Sequence, residues 1–118
     1  MSTPFRYVVL RHEGMGEPHF DLMIEYGASG NRGLMTWRSP VWPITSETQL
    51  ESLGDHRVEY LTYEGPVSGN RGSVRRVASG TYNLHINDVA RDITLRFLDG
   101  PPHPPLHIDP DSRCRPLR

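Results

Sequence analysis

The sequence predicts an all-β protein, a small closed or partly closed β-barrel of about seven to eight short strands with at most one short helix. Short apolar and β-branched runs recur at close spacing, and several of them alternate with period two. Gly and Pro each occur 11 times among 118 residues, which favours turns over long helices. Only residues 46–53 resemble a helix, because Ser46 and Gln49 are spaced as a capping box.

The clearest strand covers residues 19–26. One parity carries Phe20, Leu22, Ile24 and Tyr26, and the other carries His19, Asp21, Met23 and Glu25. Successive side chains of a strand point to opposite faces, so one face of this strand is apolar and faces a core. The opposite face places an imidazole and a carboxylate side by side.

The remaining strands are predicted from residue composition and from the Gly and Pro residues that separate them. Residues 5–11 are rich in β-branched and aromatic side chains, and residues 34–38, 58–63 and 92–98 are further candidates. Residues 73–78 and 81–87 are interpreted as a hairpin that turns at Ser79 and Gly80. Residues 106–108 are a candidate edge strand.

Bulk properties predict one domain over residues 1–108, followed by a disordered tail over 109–118 that is rich in Pro and Arg. The single cysteine, Cys114, excludes an internal disulfide and a zinc site built on several cysteines. A net charge of −1 gives no overall basic surface for nucleic acid. No apolar stretch reaches membrane-spanning length, so we expect a cytoplasmic monomer without membrane contact.

A candidate metal site comes from three residues near the first loop. His12 follows the apolar run at residues 7–10, seven residues before His19. If the two strands are neighbours, the connecting loop brings His12 close to His19 and Asp21. Two histidines and one aspartate are the ligand set of an open divalent metal site. On these residues alone, a solvated polar strand face is the alternative.

A second candidate pair is His56 and Tyr60. Four residues apart on an extended strand, they would share a face and could donate hydrogen bonds to an anionic oxygen. The alternative is a polar strand start with Tyr60 packed at a barrel rim.

The order and spacing of these groups resemble a known family, the 3′-phosphoesterase domain of bacterial DNA ligase D. The matching pieces are His12, residues 19–25, Trp37, Asp55 with His56, Tyr60, residues 63–74 and residues 80–82. The resemblance covers residues 6–82, and it is specific through the order and spacing of all these pieces together, not through any single one. That domain is a compact β-barrel that trims 3′ ends during end joining.

The resemblance implies a role for each matching residue. His12, His19 and Asp21 would hold a divalent metal, manganese first, with zinc or cobalt as alternatives. His56 and Tyr60 would be catalytic groups of the phosphate pocket. The substrates would be 3′-phosphates and 3′-terminal ribonucleotides at DNA or DNA/RNA 3′ ends, with a separate DNA ligase or end-joining protein as partner.

The chain departs from the family in the phosphate half of the site. Met23 stands where the family has an arginine, and Arg38 is the nearest basic residue after Trp37. Arg71, together with the arginines at 75 and 76, is a candidate to compensate. The substrate-binding candidates are therefore Arg38, Arg71 and Met23. Three hypotheses stay open: a 3′-end phosphoesterase in DNA repair, a catalytically weak metal-binding accessory module, and a phosphoesterase for another phosphorylated substrate.

Overall fold

The computed structural model describes residues 5–26, 33–44, 47–87 and 92–115. Within these residues the chain forms nine strands and one short 3-10 helix at Val58–Leu61. The strands are β1 (Phe5–Glu13), β2 (His19–Ile24), β3 (Leu34–Ser39), β4 (Glu51–His56), β5 (Gly65–Pro66), β6 (Ser73–Asn87), β7 (Asp92–Phe97), β8 (Leu106–Ile108) and β9 (Cys114–Arg115).

The strands make one antiparallel sheet in the order β4-β3-β2-β1-β6-β7-β8-β9, with β5 paired to the start of β6. The sheet is an open, strongly curled half-barrel. At one end, the segment before β4 meets β9 from the opposite edge: the Leu50 amide donates to the Ser112 carbonyl at 2.9 Å, and the Cys114 amide donates to the Thr48 carbonyl at 2.9 Å. The predicted all-β, partly closed barrel is confirmed.

The two faces of the sheet bury different clusters because side chains alternate along each strand. The larger cluster includes Tyr7, Val9, Leu22 and Trp37, and it draws residues from both ends of the sheet. We call its side the inner face. The opposite or outer face carries a smaller cluster that packs beneath the 3-10 helix; its members are Val8, Leu10, Met23, Leu34, Leu61 and Val74.

The predicted helix at residues 46–53 is wrong. Residues 51–56 form strand β4, which pairs with β3 through Trp37 and Ser52, and Gln49 bridges to Arg113. Ser46, the expected cap, lies outside the described residues. Pairing with β3 and burial of Leu50 outweigh a weak local helix signal, since propensity is only a prior.

The predicted strand at residues 58–63 is also wrong. The Tyr60 amide donates to the Arg57 carbonyl at 3.1 Å, and the Thr62 amide donates to the Glu59 carbonyl at 3.1 Å, which is 3-10 geometry. This turn places Leu61, 7% exposed, on the outer-face cluster. Burial of Leu61 in the outer-face cluster therefore favours the 3-10 helix over a strand at these residues.

The predicted hairpin at residues 73–87 is replaced by one long strand, β6. The strand runs through Ser79 and Gly80 and changes register against β1 between Val9 and Leu10. Glycine is required at position 80 because the backbone of Asp99 passes close to it: a Cβ on Gly80 would lie 1.9 Å from the Asp99 carbonyl oxygen.

The expected disordered tail is corrected for residues 109–115. β8 exists as predicted, but it is followed by β9, and Cys114 is buried in the inner-face cluster. Burial raises the pKa of the Cys114 thiol to about 11. Residues 116–118 of the expected tail lie outside the described residues. In the described part of the chain, no helix is long and apolar enough to cross a membrane.

Candidate metal centre

The β1–β2 hairpin brings His12, His19 and Asp21 together on the outer face. His12 pairs directly with His19, and Leu10 pairs with Asp21 in the next row of the same face. Cross-strand partners on one face have neighbouring side chains, so the register alone places the three groups in contact range. One ligand atom from each residue lies within 4.8 Å of the other two.

The nitrogens and oxygens of this cluster point at one another. His19 Nε2 lies 3.1 Å from His12 Nδ1. The Asp21 carboxylate faces both rings, with Oδ2 3.8 Å from His12 Nδ1 and Oδ1 3.7 Å from His19 Nε2. Each imidazole is 12% exposed and the carboxylate is 5% exposed, so little water reaches the cluster.

Backbone carbonyls contact the outer nitrogen of each ring. His12 Nε2 lies 2.7 Å from the Arg71 carbonyl oxygen, and His19 Nδ1 lies 3.4 Å from the Glu17 carbonyl oxygen. A carbonyl only accepts, so these contacts favour the tautomers in which the outer nitrogens donate and the facing nitrogens keep their lone pairs, as metal ligation requires. Metal-binding histidines are oriented in this way by their outer hydrogen bonds.

Asp21 gives the strongest local sign that a cation belongs here. Its Oδ1 is buried and has no hydrogen-bond partner, and the nearest cationic atom, Arg38 Nε, is 3.6 Å away and also lacks a hydrogen-bond partner. Two lone pairs and a carboxylate that face one another repel unless a positive charge lies between them.

The spacing of the donors fits a divalent ion. Ligands bound at about 2.1 Å to one ion lie about 3.0–3.4 Å apart in octahedral or tetrahedral geometry. The two imidazole nitrogens are 3.1 Å apart, and the contacts of 3.7 and 3.8 Å go to different oxygens of Asp21. One donor atom from each residue lies within 4.8 Å of the other two, so the side chains would move closer together to share one ion. His12, His19 and Asp21 are thus a candidate metal-binding cluster.

Electrostatics keeps His19 ready to bind a metal. Burial lowers the pKa of the His19 imidazole, while the Asp21 carboxylate acts in the opposite direction. The net direction is downward from the usual value, so the ring is neutral at neutral pH. A neutral imidazole is the form that ligates a metal.

The β5–β6 loop positions His12, a contact that the sequence analysis missed. The loop packs against the β1–β2 loop through two glycines: a Cβ on Gly14 would lie 2.9 Å from Gly72 Cα, and a Cβ on Gly72 would lie 2.0 Å from the Glu13 carbonyl oxygen. This close approach holds the Arg71 carbonyl against His12. A backbone acceptor has no residue-type signature, so only the glycine pattern could have indicated it.

Of the two predicted substrate-binding arginines, only Arg38 has its guanidinium at the cluster. It lies on β3 opposite Asp21, and its side chain is 38% exposed. The Arg71 guanidinium instead donates to the Ser68 carbonyl at 2.7 Å and to Ser68 Oγ at 3.2 Å. Met23 is 1% exposed inside the outer-face cluster, so its side chain has almost no surface to offer a ligand.

His56 and Tyr60 lie together, but apart from the three-residue cluster. Their ring centroids are 6.1 Å apart, and His56 Nδ1 is 2.9 Å from the Gly54 carbonyl oxygen. His56 pairs with Leu34, four residues along β3 from Arg38, which is about 13 Å at strand spacing. Among the described residues, no hydrogen bond or ion pair joins His56 or Tyr60 to His12, His19 or Asp21.

No protein-family model and no curated protein matches the chain.

Proposed function

We propose that this protein is a metal-dependent phosphoesterase that acts on 3′ ends of nucleic acid in DNA repair, removing a 3′-phosphate or a 3′-ribonucleotide. The observation that carries the proposal is the cluster of His12, His19 and Asp21 with an arginine beside it. The ion would be divalent, with manganese first and zinc or cobalt as alternatives. When bound, such an ion polarises a phosphoryl oxygen and lowers the pKa of water.

The protein's own residues would divide the remaining work. Arg38, exposed beside Asp21, can bind a phosphate oxygen by a charge-assisted hydrogen bond. The carbonyls of Arg71 and Glu17 hold both imidazoles in the ligating orientation. His56 Nδ1 faces the Gly54 carbonyl, which leaves Nε2 available for proton transfer with a substrate long enough to reach both His56 and the cluster. A cytoplasmic location and a separate DNA ligase as partner belong to the same proposal.

A second candidate is a metal-binding accessory module with weak or no turnover. Burial of Met23 favours it, because the position next to Asp21 on that strand face supplies apolar packing instead of a phosphate contact. The separation of His56 from the cluster favours it as well.

Hydrolysis of a defined 3′ end separates the two candidates. A 3′-phosphorylated primer-template is incubated with protein and Mn²⁺, and the primer is followed on a denaturing gel. We expect conversion to the 3′-hydroxyl by the wild type and a loss in His19→Ala, whereas His85→Ala, an exposed histidine on β6, stays active. Metal binding without conversion of 3′-phosphate or 3′-ribonucleotide ends would overturn the 3′-end activity and leave the accessory module or a phosphoesterase for another phosphorylated substrate.

A further inference from the structure

A cavity of about 300 Å³ opens at the outer face between the 3-10 helix and the β5–β6 loop. Its walls include Arg57, Glu59, Tyr60, Tyr63 and Val67. We propose that this cavity binds a nucleobase within the last two nucleotides of the strand whose phosphoester lies at the three-residue cluster. The inference rests on the proposed function and adds to it the part of the substrate that is recognised away from the ester.

The walls offer aromatic surface to a flat ring. The Tyr60 and Tyr63 rings lie 5.8 Å apart at 84°, so the two phenols form a corner. Tyr63 is 38% exposed, and its hydroxyl donates to the Pro66 carbonyl, which fixes the ring while leaving surface uncovered. Bases stack on such rings without sequence preference, because every base has a π-face.

The charges of the cavity favour a base over a phosphate. Arg57 and Glu59 both line it and both are exposed. Their opposite charges leave no net attraction for a phosphate, whereas the edge of a base carries donors for Glu59 and acceptors for Arg57. The arginine plane can also stack on the ring.

The cavity lies within reach of the cluster. Gly65 pairs with Val74, and Val74 pairs with His12, so two strand spacings separate Gly65 from His12, about 10 Å. The β5–β6 loop contacts both the cavity and the metal cluster: Val67 and Ser68 line the cavity, and the Arg71 carbonyl contacts His12. One ligand that carries a phosphoester and an aromatic ring can therefore occupy both, and a nucleic-acid end has both groups.

The test uses all-DNA oligonucleotides with a 3′-hydroxyl, with Mn²⁺ present. These are products of the proposed reaction, because they carry neither a 3′-phosphate nor a 3′-ribonucleotide to remove. 2-Aminopurine replaces the last or the penultimate base, and a control strand carries it six nucleotides from the end. We expect its fluorescence to change on binding only near the end. Tyr63→Ala should weaken binding about ten-fold or more, since stacking on one aromatic ring is worth that much. Tyr63→Phe keeps the ring and should stay within about three-fold of the wild type. Phe5→Ala, whose ring packs against Tyr82 on the inner face and therefore opposite to the cavity, controls for loss of an aromatic residue.

The inference is overturned by an unchanged affinity in Tyr63→Ala or by an equal fluorescence change at the control position. Either can occur while the wild type still hydrolyses 3′ ends, in which case the proposed function stands without the cavity. Conversely, end-specific binding that depends on Tyr63, without hydrolysis, supports the cavity and removes the enzymatic activity. No detectable binding of any oligonucleotide overturns the base-binding cavity as well.

Discussion

His12 Nδ1 and His19 Nε2 face each other at 3.1 Å, although each ring already has its other nitrogen on a backbone carbonyl. In the tautomers that these carbonyls favour, two lone pairs face a buried carboxylate oxygen that has no hydrogen-bond partner and whose ion-pair partner, Arg38 Nε, is 3.6 Å away. A divalent ion between the three groups would remove their mutual repulsion, and the pairing of β1 with β2 already brings the groups together.

The close contact of the two loops should be needed for metal affinity. Gly72→Ala pushes a methyl group into the Glu13 carbonyl and displaces Arg71 from His12. We expect the affinity for Mn²⁺ to fall about ten- to a hundred-fold, the usual effect of losing an outer hydrogen bond to a metal ligand. Isothermal titration calorimetry measures the change.

Gly69→Ala is the matched control for this substitution. Gly69 and Gly72 have similar positive φ values, 75° and 79°, so alanine pays a similar backbone cost at both positions. The nearest atom to a Cβ on Gly69 is the flexible Arg71 Nε at 3.4 Å, and no backbone lies in the way. An equal loss of metal affinity in both variants would show that the loop contact does not position His12.

Arg38 should contribute to substrate binding and not to metal binding. We expect Arg38→Ala to lower kcat/KM on 3′-phosphorylated ends by about ten- to a hundred-fold, the value of one charge-assisted contact of about 1.5–3 kcal/mol. Affinity for Mn²⁺ should not fall, because the substitution removes a cation that competes for Asp21. Arg96→Ala, exposed on β7, is the control. A loss of metal affinity in Arg38→Ala would show that Arg38 also contributes to metal binding.

Met23 should act as a packing residue. Met23→Leu keeps the volume and should cost less than about 1.5 kcal/mol of unfolding free energy, whereas Met23→Ala should cost about 2–5 kcal/mol. Met23→Arg places a charge among Val8, Leu10 and Leu61 and should destabilise the fold by several kcal/mol. Urea unfolding followed by tryptophan fluorescence gives these values. A stable and more active Met23→Arg would restore the phosphate role that the family resemblance assigns to this position.

His103 should make the fold sensitive to acid. Its Nε2 accepts from the Ile44 amide at 3.0 Å, its Nδ1 lies 2.6 Å from the Pro104 carbonyl oxygen, and its ring stacks on Trp42 at 4.5 Å. This pairing requires the neutral ring, and burial lowers the pKa of His103. The unfolded chain therefore binds the proton first, so this stabilisation is complete above pH ~6.5 and declines as the pH falls from there towards the folded-state pKa.

The measurement is denaturant unfolding between pH 7.5 and 4.5. His103→Phe keeps the aromatic ring but cannot titrate, so the stability difference between wild type and variant should shrink as the pH falls below 6.5. His85→Phe, at an exposed position, is the control and should leave that pH dependence in place. If the difference in unfolding free energy between wild type and His103→Phe stays constant from pH 7.5 to 4.5, His103 is not the source of the acid sensitivity.

Sequence patterns found the cluster because alternation and register are enough to place it. Once residues 19–24 form a strand, His19 and Asp21 share a face, and a short loop returns His12 beside them. The sequence misled at residues 58–63, because β-branched and aromatic side chains favour a strand there, yet the structure has a 3-10 turn that buries Leu61. Gly80 was ambiguous for a similar reason, since a turn and a close backbone approach both require glycine.

We expect His12, His19 and Asp21 to hold a divalent ion, which Mn²⁺ calorimetry on purified protein at pH 7.5 measures without any substrate. Asp21→Asn removes the charge and keeps the shape, while Asp111→Asn makes the same change at an exposed position. We expect one Mn²⁺ per chain in the wild type and in Asp111→Asn, and an affinity at least about 100-fold weaker in Asp21→Asn. Equal affinity in wild type and Asp21→Asn, with both folded, would contradict the account.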